Sequence, residues 1–224
     1  MRYLSKIKHL MTMINIKCFT FNLFATNTFV LSDETGECII IDPGCSNPLE
    51  EQELSAYINE NSLTPKAQII THYHVDHIMG IRFVKETYGI GATAHHDGRI
   101  FWEDFHTQGY VYGLNADMII APEHFVKEAD KISFGNSEFE VLLVPGHADG
   151  SICLVNYAQH FVMAGDVLFY GSIGRTDLPT GNFQLLRQSI QNKLFSLDDN
   201  FTVYTGHGAE TTIGMERLHN PYIH

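Results

Sequence analysis

Apolar and polar positions divide this chain into a strand-rich opening, an aromatic middle and a later half that repeats the same order of element types. Runs rich in β-branched and aromatic residues over 14–21, 28–31 and 38–41 predict three strands. Gly36 turns the chain between the last two, and Asp42-Pro43-Gly44 ends the third. Asn47-Pro48 reads as an N-cap followed by proline at the first helical position. Glu50, Glu51 and Glu53 lie toward the positive end of that helix, which should run to about Asn61. Residues 67–71 predict a further strand. Residues 76–88 predict a helix, with Ile78, Ile81 and Val84 near helical spacing and Gly89 as its stop.

The span from His95 to His124 is rich in aromatics (Phe101, Trp102, Phe105, Tyr110, Tyr112) and begins in a helix-like pattern, but shows no sustained period. Strands are predicted over 131–134, 138–144, 151–156 and 160–164, with a hairpin turn at Gly135-Asn136. Phe183, Leu186, Ile190 and Leu194 fall at spacings of three and four, predicting a helix over 183–195. A strand over 201–205 follows, and Thr211 or Thr212 can cap a short terminal helix. Strands, helix, strand, helix, then the same again, predict two sheets packed face to face with helices outside both, a four-layer α/β sandwich. No repeat or low-complexity linker interrupts it, so residues 13–224 are expected to form one domain. Residues 1–12 read as a flexible extension or a misplaced start, because Met11 and Met13 precede the first strand.

Charge and targeting signals narrow the function classes. A formal net charge of −12 repels nucleic-acid backbones and anionic membranes over most of the surface. The first dozen residues contain no apolar run suited to secretion, and no segment approaches a membrane span, so the expectation is cytoplasmic. The cysteines (Cys18, Cys38, Cys45, Cys153) form no CxxC pair, as suits a reducing compartment. Cys45 follows the Asp42 turn and could border a site, but buried and inert is the commoner state.

The chemistry is concentrated in Thr71-His72-Tyr73-His74-Val75-Asp76-His77. On extended backbone His72 and His74 point to one face and can chelate one ion, while Asp76 and His77 follow as the chain turns and can serve a second. A polar surface loop is the bland alternative, and such density of ligand types argues against it. Three further turns each put a metal-competent side chain straight after an apolar strand: Pro145-Gly146-His147, Gly165-Asp166 and Gly206-His207-Gly208. Each is weak alone; together with the cluster they are strong. Asp42 can orient a histidine of the cluster or serve simply as a turn residue.

The series His72-x-His74-x-Asp76-His77, His147, Asp166 and His207 resembles the metallo-β-lactamase superfamily of binuclear hydrolases, over nearly the whole chain from Met13. That resemblance implies an αββα sandwich. It implies one metal on His72, His74 and His147, a second on Asp76, His77 and His207, and Asp166 bridging both. Two divalent ions per chain follow, with zinc the leading candidate and iron or manganese compatible with the donors. Asp76 and Asp166 would be the catalytic carboxylates beside a hydroxide that attacks the substrate carbonyl. Gly165-Asp166-Val167-Leu168-Phe169, the stretch from Gly171 to Pro179, and Gly206-His207-Gly208 with Thr211-Thr212-Ile213-Gly214 resemble short glyoxalase-II-like hydrolases. That implies hydrolysis of a thioester such as S-D-lactoylglutathione.

Departures from that family bear on the substrate. Full-length glyoxalase II carries a C-terminal helical domain that grips glutathione, and a chain ending at His224 is expected to lack it. Arg175 stands where that family places a basic residue for a glutathione carboxylate, but Asp177 replaces the neighbouring tyrosine. Arg175 can therefore bind substrate or simply pair with Asp177. The longer aromatic segment can wall the pocket or bury a homodimer contact. A mononuclear-iron persulfide dioxygenase, using His72, His147 and Asp166, is the alternative. Lactonase, β-lactamase and a metal-binding module without turnover rank below it.

Overall fold

The computed structural model describes residues 13–103 and 120–223. The expected extension over 1–12, and Phe105, Tyr110 and Tyr112 of the aromatic segment, lie outside the described residues. Three antiparallel strands open the chain, β1 (Asn15–Phe21), β2 (Thr26–Ser32) and β3 (Glu37–Ile41). Helix α1 (Pro48–Glu60) crosses over to β4 (Thr64–Ile69), parallel to β3. The Asn47 side chain accepts from the N–H groups of Leu49 and Glu50, the capping that the Asn-Pro pair predicts. Helices α2 (Val75–Ile78) and α3 (Ile81–Tyr88) lead to β5 (Ala92–His95), then α4 (Ile100–Glu103) and β6 (His124–Val126) follow. These strands form one sheet in the order β1-β2-β3-β4-β5-β6.

The second sheet is built from β7 (Lys131–Phe134), β8 (Ser137–Leu143), β9 (Ile152–Asn156), β10 (Phe161–Gly165), β13 (Thr202–Thr205) and β14 (Thr211–Thr212), ordered β14-β13-β10-β9-β8-β7. A small ribbon, β11 (Leu168–Phe169) with β12 (Ser172–Ile173), follows β10, and α5 (Phe183–Asn192) carries the chain to β13, parallel to β10. Helix α6 (Ile213–His219) closes the chain.

Side chains alternate across each strand, so a sheet covered on both sides must be apolar on both. Phe29, Leu31, Ile39 and Ile41 point between the sheets and meet Phe139, Val141, Leu154 and Met163. Their neighbours Val30, Cys38 and Ile40 point outward onto Leu54 and Ile58 of α1 and Val84 of α3. On the far side Cys153, Val155, Val162 and Val203 carry Leu186 and Ile190 of α5 and Ile213 of α6. The result is the four-layer sandwich that the element order predicts.

Differences from the expected elements are local. The helix expected over 76–88 breaks into α2 and α3 at Gly80, whose N–H donates to Pro43 O at 2.7 Å. A Cβ on Gly80 would run into Cys45 Sγ, so the break lets the loop after β3 press against the helix pair. Cys45 is accordingly buried, and burial pushes its thiol up to about 12. Helix α5 stops at Asn192 and a 3₁₀ turn, Leu194–Ser196, completes the segment expected as helix. Strands β6, β11, β12 and β14 are too short to show a period of two, and β5 is buried at all four of its positions. Among the described residues no helix is long and apolar enough to cross a membrane.

Leu154 is fully buried at the centre of the layer between the sheets. Leu154→Ala is expected to destabilise the fold by about 2–5 kcal/mol through lost transfer energy and a residual cavity, measured by urea unfolding at fixed metal occupancy.

Candidate metal centre

Five segments leave their strands at the same rim. Asp42 follows β3, Thr71–His77 follows β4, His147 follows β8, Asp166 follows β10 and His207 follows β13. Loops at strand ends can take irregular backbone without breaking the sheet, so a rigid scaffold presents short polar turns at one edge. The chain leaves β3 through Asp42 at φ 48°, a left-handed conformation that aspartate tolerates better than most residues. Gly146 turns at φ 126°, where a Cβ would also overlap the backbone of Leu186.

The seven His and Asp residues of the sequence series converge. His147 Nε2 lies 3.2 Å from His72 Nε2 and 2.9 Å from His74 Nδ1. Asp76 Oδ2 lies 3.4 Å from His77 Nε2 and 3.2 Å from His207 Nε2. Asp166 stands between these groups. Its Oδ1 is 3.3 Å from His77 Nε2, and its Oδ2 is 3.5 Å from His207, 3.7 Å from His147 and 4.0 Å from His72. The donor atoms of His72, His74 and His147 all lie within 4.8 Å of one another, as do those of His72, His77 and Asp166 and those of Asp76, His77 and His207.

Contacts behind the rings fix which nitrogen faces inward. Asp42 accepts from Thr71 N at 2.7 Å, from the Thr71 hydroxyl at 2.6 Å and from His77 Nδ1 at 2.9 Å. With its own proton given to Asp42, the Thr71 hydroxyl accepts from His72 Nδ1 at 3.2 Å. His147 Nδ1 donates to Arg175 O at 2.7 Å, and His207 Nδ1 to the carbonyls of Phe24 and Ala25 at 3.0 and 3.2 Å. Each of these imidazoles therefore presents Nε2 to the centre. His74 is reversed and presents Nδ1, with its ring edge-on to Phe101 at 5.2 Å.

Protons alone serve these donors poorly. Burial holds His72 well below its ordinary value, with His77 and His74 adding to it. Burial and His147 bring His74 down to about 3, and burial lowers His147 as well. Two neutral imidazoles, His72 and His147, thus turn lone pairs on each other at 3.2 Å, and His74 is left with an unpartnered Nε2. A shared cation on the three inward nitrogens would relieve the first conflict. In the other half burial opposes charge, but Asp76, Asp166 and Asp42 outweigh it and hold His77 well above its ordinary value. Burial is likewise overcome at His207, which Asp166 and Asp76 raise to about 10. Both carboxylates are lowered despite burial, chiefly by His77. His77 Nε2 and Asp166 Oδ1 are nonetheless buried without a hydrogen bond. Orphaned buried donors beside ionised carboxylates fit a divalent metal, whose charge can take the place of these protons.

Residues outside the sequence series support the rim. Thr26 donates to Asp76 Oδ2 at 2.8 Å, and Asn22 reaches Asp76 O and Gly44 O at 3.0 and 2.9 Å. Asn27 binds Thr205 O and Gly208 O, both at 3.0 Å, and so holds the His207 turn. Nothing in the local sequence marks these residues, because their partners are remote along the chain; Thr71 alone stood beside the cluster. His95 sits at the end of β5 and accepts from Asp97 N at 3.1 Å, while His96 lies edge to face with Phe125. Over the centre opens a cavity of about 690 Å³, with His74, Asp76, His147, Asp166 and His207 on its floor. Arg175 also borders it, and its Nε and Nη2 fork onto the Asp177 carboxylate at 2.7 Å each.

Asp42→Ala removes the acceptor shared by Thr71 and His77. Metal affinity is expected to fall about 10–100-fold, read by competition with a chromophoric chelator. The raised His77 and His207 carry protons that a cation must displace. Metal uptake near neutral pH is therefore expected to release protons, and affinity should rise by up to about tenfold per proton per pH unit toward about pH 10. The sign is opposite for the metal-free fold: the His207 contribution is full below about pH 6.5 and is lost as pH rises through about 10. An indicator titration in weak buffer that detects no released proton contradicts this account.

Residues 21–207 match the metallo-beta-lactamase superfamily. The hydroxyacylglutathione hydrolase GloC of Haemophilus influenzae is 32% identical over 212 residues, covering 94% of this chain and 98% of that protein. Among solved structures, the BLEG-1 B3 metallo-beta-lactamase is 33% identical with a TM-score of 0.84, covering 93% of this chain and 99% of its own. TTHA1623 in a di-iron-bound form is 30% identical with a TM-score of 0.81, covering 92% and 99%. A sandwich of this architecture, with this donor set at its rim and these full-length likenesses, belongs to the metallo-beta-lactamase superfamily of metal-dependent hydrolases.

Proposed function

We propose that the chain is a binuclear metal-dependent thioesterase. The observation that carries this reading is its likeness over almost its whole length to a hydroxyacylglutathione hydrolase; the site by itself supports hydrolysis without choosing the bond. His72, His74 and His147 would hold one divalent ion and Asp76, His77 and His207 the other, with Asp166 shared. Zinc is the leading candidate, and the di-iron form of TTHA1623 supports iron as the competing occupant. When bound, such ions acidify water and polarise a carbonyl oxygen.

The chain's own groups do the rest. Asp76 and Asp166 stay ionised and border the cavity, so they accept hydrogen bonds from an attacking water and aim its oxygen at the carbonyl carbon. Asp42, through Thr71 and His77, keeps the rings from rotating as charge develops. The water oxygen bonds to carbon as its O–H bond breaks, and the proton passes by way of the Asp76 and Asp166 carboxylates to solvent. The C–S bond then breaks, and the sulfur leaves with the bonding pair as a thiolate, with the acyl group released as a carboxylic acid. A thiol pKa of about 8.5 makes that departure easy without a dedicated acid.

The test is hydrolysis of S-D-lactoylglutathione and simpler acyl thioesters by protein reconstituted separately with zinc, iron and manganese. The expected outcome is thioester turnover lost to background in His74→Ala together with metal content. One iron per chain with oxygen uptake on glutathione persulfide, and no thioester turnover, would establish the dioxygenase alternative instead.

A further inference from the structure

The cavity walls bear on what kind of thioester enters. Aromatic rings flank the reacting centre on both sides. Phe101 lies 5.2 Å from His74 and Phe169 lies 6.3 Å from His207, centroid to centroid. Phe24, Val75, Leu178 and Pro179 add apolar surface to the same cavity. A volume of about 690 Å³ accommodates a small-molecule substrate with a chain of several carbons. Burying such a chain against these rings is favourable at about 0.8 kcal/mol per methylene.

Charge recognition points the other way. Among the described residues that line the cavity, Arg175 is the sole lysine or arginine. Its guanidinium is committed to Asp177 by two parallel hydrogen bonds of 2.7 Å. That contact holds the Asp177 carboxyl down to about 2, so it stays ionised at any physiological pH. A substrate carboxylate approaching Arg175 would have to displace Asp177 and then lie beside its negative charge. The overall charge of −12 adds a repulsive background for anions.

Resting on the thioesterase reading above, we infer that the preferred substrate is a neutral thioester with an apolar acyl chain, and that Asp177 acts as a specificity determinant by neutralising Arg175 against anionic thioesters such as those of glutathione. The acyl chain lies between Phe24, Phe101 and Phe169. The thiol half leaves through the mouth bordered by Arg175.

The experiment uses N-acetylcysteamine thioesters from acetyl to hexanoyl, matched to glutathione thioesters of the same acyl groups, on the metal-loaded full chain. The expected result is a kcat/KM rising about two- to fourfold per methylene in the neutral series, with the glutathione series no better at any length. Phe24→Ala should flatten that rise while metal content is unchanged, because His207 is held by the Phe24 carbonyl and not by its ring. Asp177→Asn should improve the glutathione series relative to the neutral one by about fivefold, less at high salt, since the exposed fork contributes modestly. A flat chain-length profile with glutathione thioesters preferred overturns the inference and leaves the thioesterase reading standing. If neither series turns over, that reading fails. Calorimetric binding of methyl and hexyl thioether analogues then reads the pocket directly, and equal affinity for the two overturns the apolar-chain inference as well.

Discussion

Seven electron-donating side chains meet at one rim of this sandwich, and holding so many donors together is the constraint that the surrounding structure serves. The Nε2 atoms of His72 and His147 face each other at 3.2 Å, each with its ring proton drawn to the opposite nitrogen, and His74 Nδ1 lies 2.9 Å from that of His147. Across Asp166 the balance reverses, and carboxylates force protons onto His77 and His207. A water-filled pocket would relax both conflicts by letting the rings turn outward. Here the rings cannot turn, because four of the five have the opposite nitrogen fastened to Thr71, Asp42, Arg175 O or the Phe24–Ala25 carbonyls. The fold thereby keeps an electrostatic tension that a divalent cation is suited to discharge.

Holding such a rim requires a scaffold that does not yield, and the packing of the layers supplies it. Inward residues of β2, β3, β8, β9 and β10 fill the space between the sheets, while their outward neighbours bind the helices. Parallel pairings of β3 with β4 and of β10 with β13 bring strand ends from distant parts of the chain to the same edge. Asp42 then joins the ends of β3 and β4 by accepting from Thr71 and His77 together. The site is an outcome of topology before it is one of chemistry.

This explains what could be read from the sequence and what could not. The ligand residue types and their glycine-flanked turns were legible because each is local: an apolar strand, a bend, a donor. The four-layer order was legible for the same reason, from strand and helix patterns in series. The break at Gly80 was hidden, since it arises from Cys45 and Pro43 pressing on the helix from another segment. Thr26, Asn22 and Asn27 were hidden too. Each acts through a partner far along the chain, and no spacing in a single sequence announces such a bond. Short pieces such as β11 and β14 carry too few residues for any period.

Phe24 and Arg175 show how a donor cluster and a cavity wall can share residues without constraining each other. Each binds a ring of the centre through its main-chain carbonyl, His207 in one case and His147 in the other. Each also borders the cavity. The carbonyl is present whatever the side chain, so the hold on these two rings depends on backbone course alone. The wall depends on the side chain, which is open to replacement. A rim organised in this way can exchange aromatic, charged or neutralised positions around the same donors. On the proposed reading the reaction class would stay fixed by Asp166 and the histidines, while the choice of substrate would fall to residues outside the donor set.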